Sequence, residues 1–477
     1  MIRTPLSVFC LATAAMALSA CATTNNYNYP DDGQAAAAVA SEAAPTKKAK
    51  NVILFIGDGM GISTITAARI YAGQKLGNTG EEYVLPFEKF DNVALVKTYN
   101  TNAQVPDSAG TATAMHSGQK TNIGFIGIGP GASRGDCVGG QAHHLPLLGE
   151  QAKERGLAVG MVSTARITHA TPATVYSRST DRGWEADAAI PEDQRGLGCK
   201  DIAAQLIEFD FDVALGGGLG AFYGSDKGGR RLEATADLPA DWAARTGGTY
   251  VTDGVSLAAA PADKPIFGLF SPSHMTYMAE KSEDSTEPTL TAMTREAVNR
   301  LSGDQDGYYL MVESGRIDHG HHAGKAGFAL EETVEFARAI QWAIDNTNPE
   351  ETLIMVTADH SHVFTIAGYP RRGNDILGLV VPPAGERDVD GEPVLAQDGK
   401  PYTTLGYANG PGAVSGERPV PDTGVLATQQ ALVPTGSETH AGEDVALYAQ
   451  GPGAEKARGV IEQNKIYDII VSALGWE

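Results

Sequence analysis

The sequence is poor in basic residues. Lysine and arginine total 36 against 58 acidic residues, so the 477-residue chain has a formal net charge of −22 at pH 7. A surface of this sign repels nucleic acids and anionic membranes, and we expect neither as a partner. It also repels phosphate esters at long range. An enzyme that acts on such esters would need to concentrate positive charge locally, and bound metal ions are one way.

Cysteine is also scarce, with four residues in the whole chain. Cys10 and Cys21 lie close to the amino terminus, which leaves Cys137 and Cys199 for the rest of the chain. Two cysteines in an exported chain favour one disulfide, and two free thiols are the alternative.

The sequence has no apolar run long enough to span a bilayer. The run from Leu6 to Leu18 follows Arg3 and precedes small residues and Cys21. This order predicts a signal peptide over residues 1–20 and, by resemblance to bacterial lipoproteins, a lipid on Cys21. Cleavage beside an incidental cysteine is the alternative. We therefore expect an exported protein, periplasmic or on the cell surface, which meets the membrane only through an amino-terminal lipid anchor.

Residues 21–50 are rich in alanine, asparagine and charge and lack periodicity, which predicts a flexible tether before a domain over residues 51–477. In that domain, buried strands alternate with helical patterns. The predicted strands are Asn51–Ile56, Leu157–Ser163, Phe211–Leu215, Tyr308–Glu313 and Thr352–Ala358. This alternation predicts an α/β fold with a doubly wound, mostly parallel sheet and helices on both faces. Residues 368–434, rich in proline, glycine and charge, predict an inserted subdomain.

The first predicted strand ends in a glycine loop, Gly57-Asp-Gly-Met-Gly61, which lacks the GxGxxG spacing of dinucleotide-binding loops. Asp58 within this loop would repel a pyrophosphate. An acid at the carboxyl end of a central strand is better explained as a metal ligand.

Acids and histidines also follow the last two predicted strands. Glu313 ends one of them, and Asp318 and His322 are four residues apart, so that on a helix they share one face. Asp359 and His360 follow the other strand. Unpaired buried acids are costly, and divalent cations are the usual remedy. Mixed Asp and His ligands suit zinc, and Asp, Glu and Thr oxygens suit magnesium. For any single residue, a helix cap or a hydrogen-bonded core group is the alternative.

The stretch Val105–Thr113 places Ser108 after an acid and before residues of little bulk. We expect Ser108 to cap a helix, where converging N–H groups and the helix dipole favour an anion. Ala109, Gly110 and Ala112 would then let a tetrahedral anion approach. A capped helix that packs closely on a neighbour is the alternative.

This stretch, together with Thr357-Ala-Asp-His-Ser-His362 and Thr439-His-Ala-Gly-Glu-Asp444, resembles the signature motifs of the alkaline phosphatases. The resemblance runs from about Asn51 to Gly453 and is to the animal-type branch more than to the enterobacterial type. It implies an enzyme that hydrolyses small phosphate monoesters with two Zn²⁺ and one Mg²⁺ and is commonly a homodimer.

The resemblance also implies roles for single residues. Ser108 matches the phosphorylated nucleophile, and Arg182 matches the arginine that binds phosphate. The implied metal ligands are Asp318, His322 and His440 for the first zinc, Asp58, Asp359 and His360 for the second, and Asp58, Thr171 and Glu313 for magnesium. His362 matches a residue beside the zinc ions, behind the ligands. Cys137 and Cys199 fall where the animal branch has a disulfide.

Three departures from the family affect the expected cofactors and anchoring. His169 and His319 stand where the enterobacterial type has Asp and Lys, which predicts weaker magnesium retention and possible zinc at the third site. Both histidines acting as hydrogen-bond partners behind the ligands is the alternative. Ser271 stands where animal enzymes carry a glutamate near their calcium, so we doubt a calcium site. The end at Glu477, without a hydrophobic signal, favours an anchor at the amino end.

Other functions stay open at this point. A superfamily relative acting on phosphodiesters or sulfates would keep a similar metal pair, and a surface lipoprotein could bind metal without catalysis. The segment Gly131-Ala-Ser-Arg-Gly135 matches the GxSxG of serine hydrolases, but it lacks the apolar strand before it and the apolar helix after it.

Overall fold

The computed structural model describes residues 47–386 and 390–476. The predicted signal peptide, the predicted lipidation site Cys21 and most of the predicted tether lie outside these residues. Within the described part, Ala49 is already buried, and its N–H donates to the carbonyl of Ala473 at 2.8 Å. No helix in this part is both long and apolar enough to cross a membrane.

The central element is a ten-stranded sheet. Its strands, in chain order, are β1 Asn51–Gly57, β2 Asn92–Lys97, β3 Ala158–Arg166, β4 Val213–Gly217, β5 Thr249–Val251, β6 Ile266–Leu269, β7 Tyr308–Ser314, β8 Thr352–Ala358, β14 Val445–Gln450 and β15 Gly459–Glu462. The five other described strands are β9 Ser361–His362, β10 Phe364–Ile366, β11 Leu405–Gly410, β12 Ala431–Pro434 and β13 His440–Ala441.

The strand order in this sheet is β15-β2-β14-β8-β1-β7-β3-β4-β6-β5. Strand β14 runs antiparallel to both of its neighbours, and the other pairs are parallel. The prediction of a doubly wound, mostly parallel sheet is confirmed. Each predicted strand is present, with ends that differ by at most three residues from the expected ones.

The described α-helices are α1 Ile62–Lys75, α2 Ser108–Ser117, α3 Cys137–Gln141, α4 Leu148–Glu154, α5 Ala170–Ala173, α6 Ile202–Glu208, α7 Leu238–Thr246, α8 Gly254–Ala259, α9 Leu290–Leu301, α10 Arg316–His322, α11 Ala326–Asn346 and α12 Lys465–Leu474. Helices α1, α9, α10 and α11 form one packed group, and α2, α4, α5 and α12 form another. Strand β7 contacts α9 and α11 from the first group and α4 and α5 from the second, so helices cover both faces of the sheet.

The core of the sheet consists of strands that are buried on both faces, as expected for a parallel sheet between helices. In β7 and β8 every residue is buried, and in β1 all but Asn51 are. Gly57 at the end of β1 pairs with Ser314 of β7 and with Ala358 of β8. Because the three strands end in register, the residues that follow them leave the sheet together at one edge.

The predicted insert at 368–434 contains β11 and β12, which pair with each other and, through β11, with β10 to form a three-stranded sheet. Strand β10 begins at Phe364, just before the predicted start of the insert.

Cys137 and Cys199 are joined by a disulfide, so the prediction of one bond rather than two free thiols is confirmed.

Candidate active site

The helix that carries Ser108 is capped by a different residue from the one predicted. Asp107 is the N-cap, with an extended backbone and a side chain that accepts the N–H of Gly110 at 3.1 Å, and Ser108 is the first helical residue. A carboxylate accepts such bonds better than a hydroxyl, which leaves the Ser108 hydroxyl free to face the sheet edge. At Gly110, a Cβ would collide with the side chain of Asn100, so close packing there requires glycine.

Ser108 is 2 % exposed, and its hydroxyl faces the residues that follow β1 and β8. Its Oγ lies 3.3 Å from Oδ1 of Asp58 and 3.2 Å from Nε2 of His360. Nε2 of His360 lies 3.3 Å from Asp58 and 3.4 Å from Oδ2 of Asp359. The residues of the predicted second zinc site are therefore together, next to the predicted nucleophile.

The glycine loop after β1 makes this approach possible. Gly59 has φ of +69°, and a Cβ there would collide with the ring of His362. Its N–H donates to Oδ1 of Asp359 at 2.9 Å. The loop therefore brings backbone against an acid and a histidine, which agrees with the metal interpretation of its sequence rather than with a dinucleotide site.

Burial and mutual repulsion control the charge of these acids. Burial raises the pKa of Asp58 well above its ordinary value, and the charges of Asp359, Asp318 and Glu313 raise it further. Burial also raises the pKa of Asp359. Buried carboxylates this close together repel one another when they are ionised, and a bound cation offsets that repulsion.

A second group surrounds Asp318 on α10. Its Oδ1 lies 3.3 Å from Nε2 of His322, 3.3 Å from Nε2 of His440 and 2.9 Å from Nε2 of His362. The i,i+4 pairing of Asp318 and His322 on one helix face is as predicted. His440 and His322 approach within 3.1 Å through their Nε2 atoms, so the predicted first zinc site is also brought together.

Glu438 organises this second group, although the sequence reasoning did not select it. Its backbone carbonyl lies 2.6 Å from Nδ1 of His322, and its carboxylate lies 2.6 Å from Nδ1 of His362. Against the cost of burial, the hydrogen bonds to Asp318 and Glu438 raise the pKa of His362 to about 9. In the sequence, the position of Glu438 two residues before His440 could have indicated that it belongs to the site.

Two of the predicted magnesium ligands, Asp58 and Glu313, lie close together, and the third, Thr171, lies beside Glu313. One oxygen each of Asp58 and Glu313 and one nitrogen of His169 lie within 4.8 Å of one another. Oε2 of Glu313 accepts the Ser163 hydroxyl, while its Oε1 and the hydroxyl of Thr171 are buried and have no hydrogen-bond partner in the described part of the chain. Burial raises the pKa of Glu313 to about 7. Unpartnered hard oxygens of this kind suit a magnesium ion.

An ion pair with Asp107 holds Arg182 at the site. Its Nη1 donates to Oδ2 of Asp107 at 2.9 Å, and its Nη2 lies 3.3 Å from Nε2 of His169. Although burial opposes the charge, Asp107 raises the pKa of Arg182 above its ordinary value. Asp107 was not predicted as a functional residue, and only its position before Ser108 pointed to it.

His169 and His319, which were predicted to lie near the third metal site, lie close to each other, with ring centroids 5.5 Å apart. Burial lowers the pKa of His319 to about 3 and that of His169 well below its usual range. His274, which the sequence reasoning did not select, joins them from the loop after β6. By contrast, Ser133 of the GxSxG match is exposed and follows no strand, so a strand-to-helix elbow does not form there.

The chain is similar to known proteins over most of its length. The family model described as alkaline phosphatase matches residues 49–476. The tissue-nonspecific alkaline phosphatase of Gallus gallus is 44% identical over 443 residues, which are 88% of this chain and 83% of that protein. The tissue-nonspecific isozyme of Homo sapiens is 43% identical over 455 residues, which are 90% of this chain and 84% of that protein.

A solved structure is similar over most of the chain. The alkaline phosphatase of the Antarctic bacterium TAB5 aligns with a TM-score of 0.63 and 25% identity, covering 91% of this chain and 100% of that one. A mutant of that enzyme with a histidine replaced by aspartate has Mg bound in its M3 site.

Proposed function

The chain belongs to the alkaline phosphatase family of phosphomonoester hydrolases, and we propose that its reaction proceeds through a phosphoserine at Ser108. The position of the Ser108 hydroxyl carries this proposal. It is buried at the start of α2, within 3.3 Å of both Asp58 and His360. Those two residues belong to a set of donors that fits a zinc ion.

Two Zn²⁺ ions and one Mg²⁺ ion are the cofactors that we propose. Asp318, His322 and His440 would hold the first zinc, and Asp58, Asp359 and His360 the second, since mixed carboxylate and imidazole donors suit zinc. Asp58, Thr171 and Glu313 would hold magnesium, because oxygen donors suit it. When bound, the zinc ions supply positive charge that favours the serine alkoxide and the departing oxygen.

The residues of the chain would then perform two displacements. Oγ of Ser108 loses its proton and bonds to phosphorus while the bond from phosphorus to the alcohol oxygen breaks, and that oxygen takes up a proton as the alcohol leaves. Water then attacks the phosphoserine, which restores Ser108 and releases inorganic phosphate.

Arg182 would hold the phosphoryl group during both displacements. Each terminal nitrogen of its guanidinium has two N–H groups, and Asp107 accepts one from Nη1, while Nη2 lies 3.3 Å from Nε2 of His169. The remaining N–H groups can bind two oxygens of the phosphoryl group at once.

The test of the proposal is to trap the intermediate. After acid quenching with a phosphate monoester, peptide mapping should find phosphate on the peptide that contains Ser108. Ser108→Ala should lose most activity and all of the label, because metal-activated water is a poorer nucleophile. Ser133→Ala is the matched control and should keep both. Label elsewhere, or none under trapping conditions, would contradict the mechanism, and rates on matched nitrophenyl monoesters and diesters would identify the preferred substrate class.

We also propose that the protein is an exported lipoprotein attached through Cys21 and that it forms a homodimer. The order of residues 1–21 supports the first proposal, and the family resemblance supports the second. Cys21→Ser should move the protein from the membrane fraction to the soluble one, whereas Cys10→Ser should not. Light scattering should give twice the mass of the chain.

We propose no calcium site, since Ser271 offers only a hydroxyl, which donates to the carbonyl of His274 at 2.8 Å.

A further inference from the structure

A group of three imidazoles lies beside the active site, and the proposed reaction does not need it as a group. His169 precedes α5, His274 follows β6, and His319 lies on α10. One nitrogen of each ring lies within 4.8 Å of those of the other two. Three distant segments of the chain therefore bring imidazole donors to one place.

The ring separations suit a shared ion. The centroid of His169 lies 5.3 Å from that of His274 and 5.5 Å from that of His319, and the His274 and His319 centroids are 4.0 Å apart. Three imidazoles on one tetrahedral zinc, with Zn–N of about 2.0–2.1 Å, have centroids roughly 5 Å apart. Two of the three separations already match, and the third needs the His274 and His319 rings to open by roughly 1 Å.

Two nitrogens of this group lack partners. Nδ1 of His169 and Nδ1 of His319 are buried, and neither has a hydrogen-bond partner in the described part of the chain. Buried polar atoms without partners are costly and rare in native structures. A metal ion at this place would give them a partner.

Both ring nitrogens of His274 face hydrogen-bond donors of Arg166. Its Nε2 meets Nη1 of Arg166, and its Nδ1 lies 3.3 Å from the backbone N–H of the same residue. A neutral imidazole accepts at only one nitrogen, so it cannot satisfy both donors. Glu185 binds this guanidinium through two other nitrogens, each at 2.7 Å. If an ion took the place of Nη1 at Nε2 of His274, Nδ1 would carry the proton and its contact with the backbone N–H of Arg166 would open, while the ion pair of Arg166 with Glu185 would be kept.

We propose that His169, His274 and His319 bind a fourth divalent ion, of zinc-like character and separate from the three ions of the reaction. Nitrogen donors without a carboxylate suit zinc, cobalt or copper and do not suit magnesium or calcium. His169 also lies in the group with Asp58 and Glu313, so the test must separate a loss of zinc from a loss of magnesium.

The test compares bound metal in the parent and in His274→Ala, because His274 belongs to no group used by the proposed reaction. Both full-length proteins are dialysed against zinc and magnesium and analysed by plasma mass spectrometry. We expect the parent to hold one more zinc per chain, with equal magnesium. His144→Ala removes an exposed histidine outside these groups and should keep the parent's zinc. Equal zinc in the parent and His274→Ala would overturn the proposal, as would a loss of magnesium instead of zinc.

Cobalt titration gives a second measurement. Tetrahedral Co²⁺ absorbs visible light, so the parent should bind one more absorbing equivalent than His274→Gln, which retains side-chain bulk if the alanine variant fails to fold. The same number of equivalents in both would overturn the proposal. Trapping of phosphate on Ser108 is measured in the same samples. A parent that holds the fourth ion but forms no phosphoserine would contradict the proposed mechanism and leave the fourth site supported.

Discussion

The carboxylate of Asp107 lies 2.9 Å from the guanidinium of Arg182, and the same carboxylate caps the helix that begins with Ser108. One oxygen accepts N–H groups of Gly110 and Gly124, and the other accepts from Arg182. Although burial opposes it, the charge of Arg182 lowers the pKa of Asp107 below its ordinary value, which keeps it ionised. Asp107 therefore fixes the proposed nucleophile relative to the arginine that would hold the phosphoryl group.

Replacing Asp107 with asparagine should reduce kcat/KM by about 10- to 100-fold, since a small misplacement of a positioning group costs this much. Asparagine retains one acceptor for the helix cap but removes the charge that holds Arg182. We therefore expect weaker inhibition by inorganic phosphate together with the lower kcat/KM, while the protein stays folded. Steady-state kinetics check this. Asp136→Asn, at the N-cap of α3, is the matched control and should leave both constants unchanged. Parent-like kinetics of Asp107→Asn would show that Arg182 is held by other contacts.

Glu438→Gln should lower zinc affinity by about 10- to 100-fold, because groups behind metal ligands orient them. The carboxylate of Glu438 holds His362 at 2.6 Å and the N–H of Val363 at 2.8 Å. Activity measured against buffered free zinc should shift to higher zinc, with the same maximum. Glu417→Gln removes an exposed acid and should not shift the curve. An unshifted curve for Glu438→Gln would contradict this role.

The stability of the protein should depend on pH through Glu332. Burial raises the pKa of this group from 4.5 to about 7, and its Oε1 accepts the N–H of Met278 at 2.7 Å. A folded pKa above the unfolded one means that the stabilising contribution is present below about pH 4.5 and is lost as the pH rises through about 7. Glu332→Gln has no charge to bury and can still accept the bond from Met278.

The unfolding free energy of Glu332→Gln relative to the parent should therefore rise between pH 5 and pH 8, by up to about 3 kcal/mol. Urea unfolding at the two pH values, with metals held constant, measures it. Glu455→Gln, at an exposed site, should differ from the parent equally at both. A difference for Glu332→Gln that is constant or falls with pH would show that its carboxyl is not buried as a neutral group.

Replacing His169 with aspartate and His319 with lysine together should raise magnesium affinity and lower the activation by added magnesium. A carboxylate beside Asp58 and Glu313 adds negative charge and an oxygen donor, which magnesium prefers to imidazole. The double variant should also lose the proposed fourth ion, since only His274 of its ligands remains. Calorimetric titration with magnesium and metal analysis check the two effects. Parent-like magnesium binding would show that both histidines act only as hydrogen-bond partners.

Much of the fold was predictable from local sequence patterns. The runs at Asn51–Ile56 and Thr352–Ala358 are apolar without alternation, and strands buried on both faces require that composition. The acids and histidines that follow such strands must lie at one edge of a parallel sheet, and the family resemblance then grouped Asp58, Asp359 and His360 into one site. The cap of α2 was predicted at Ser108 rather than at Asp107, because the sequence shows two suitable neighbours and only the backbone angles choose between them.

Local residue patterns were enough to predict the succession of strands along the chain, the residue types that follow those strands and the family resemblance. Which groups lie in contact depends on tertiary packing, because those contacts join segments far apart in the chain. Glu438 reaches His362 across 76 residues, and Arg182 reaches Asp107 across 75. His274 joins His169 and His319 because the loop after β6 returns to the active-site edge of the sheet. No periodicity or spacing encodes such contacts, since they depend on the packing of whole elements.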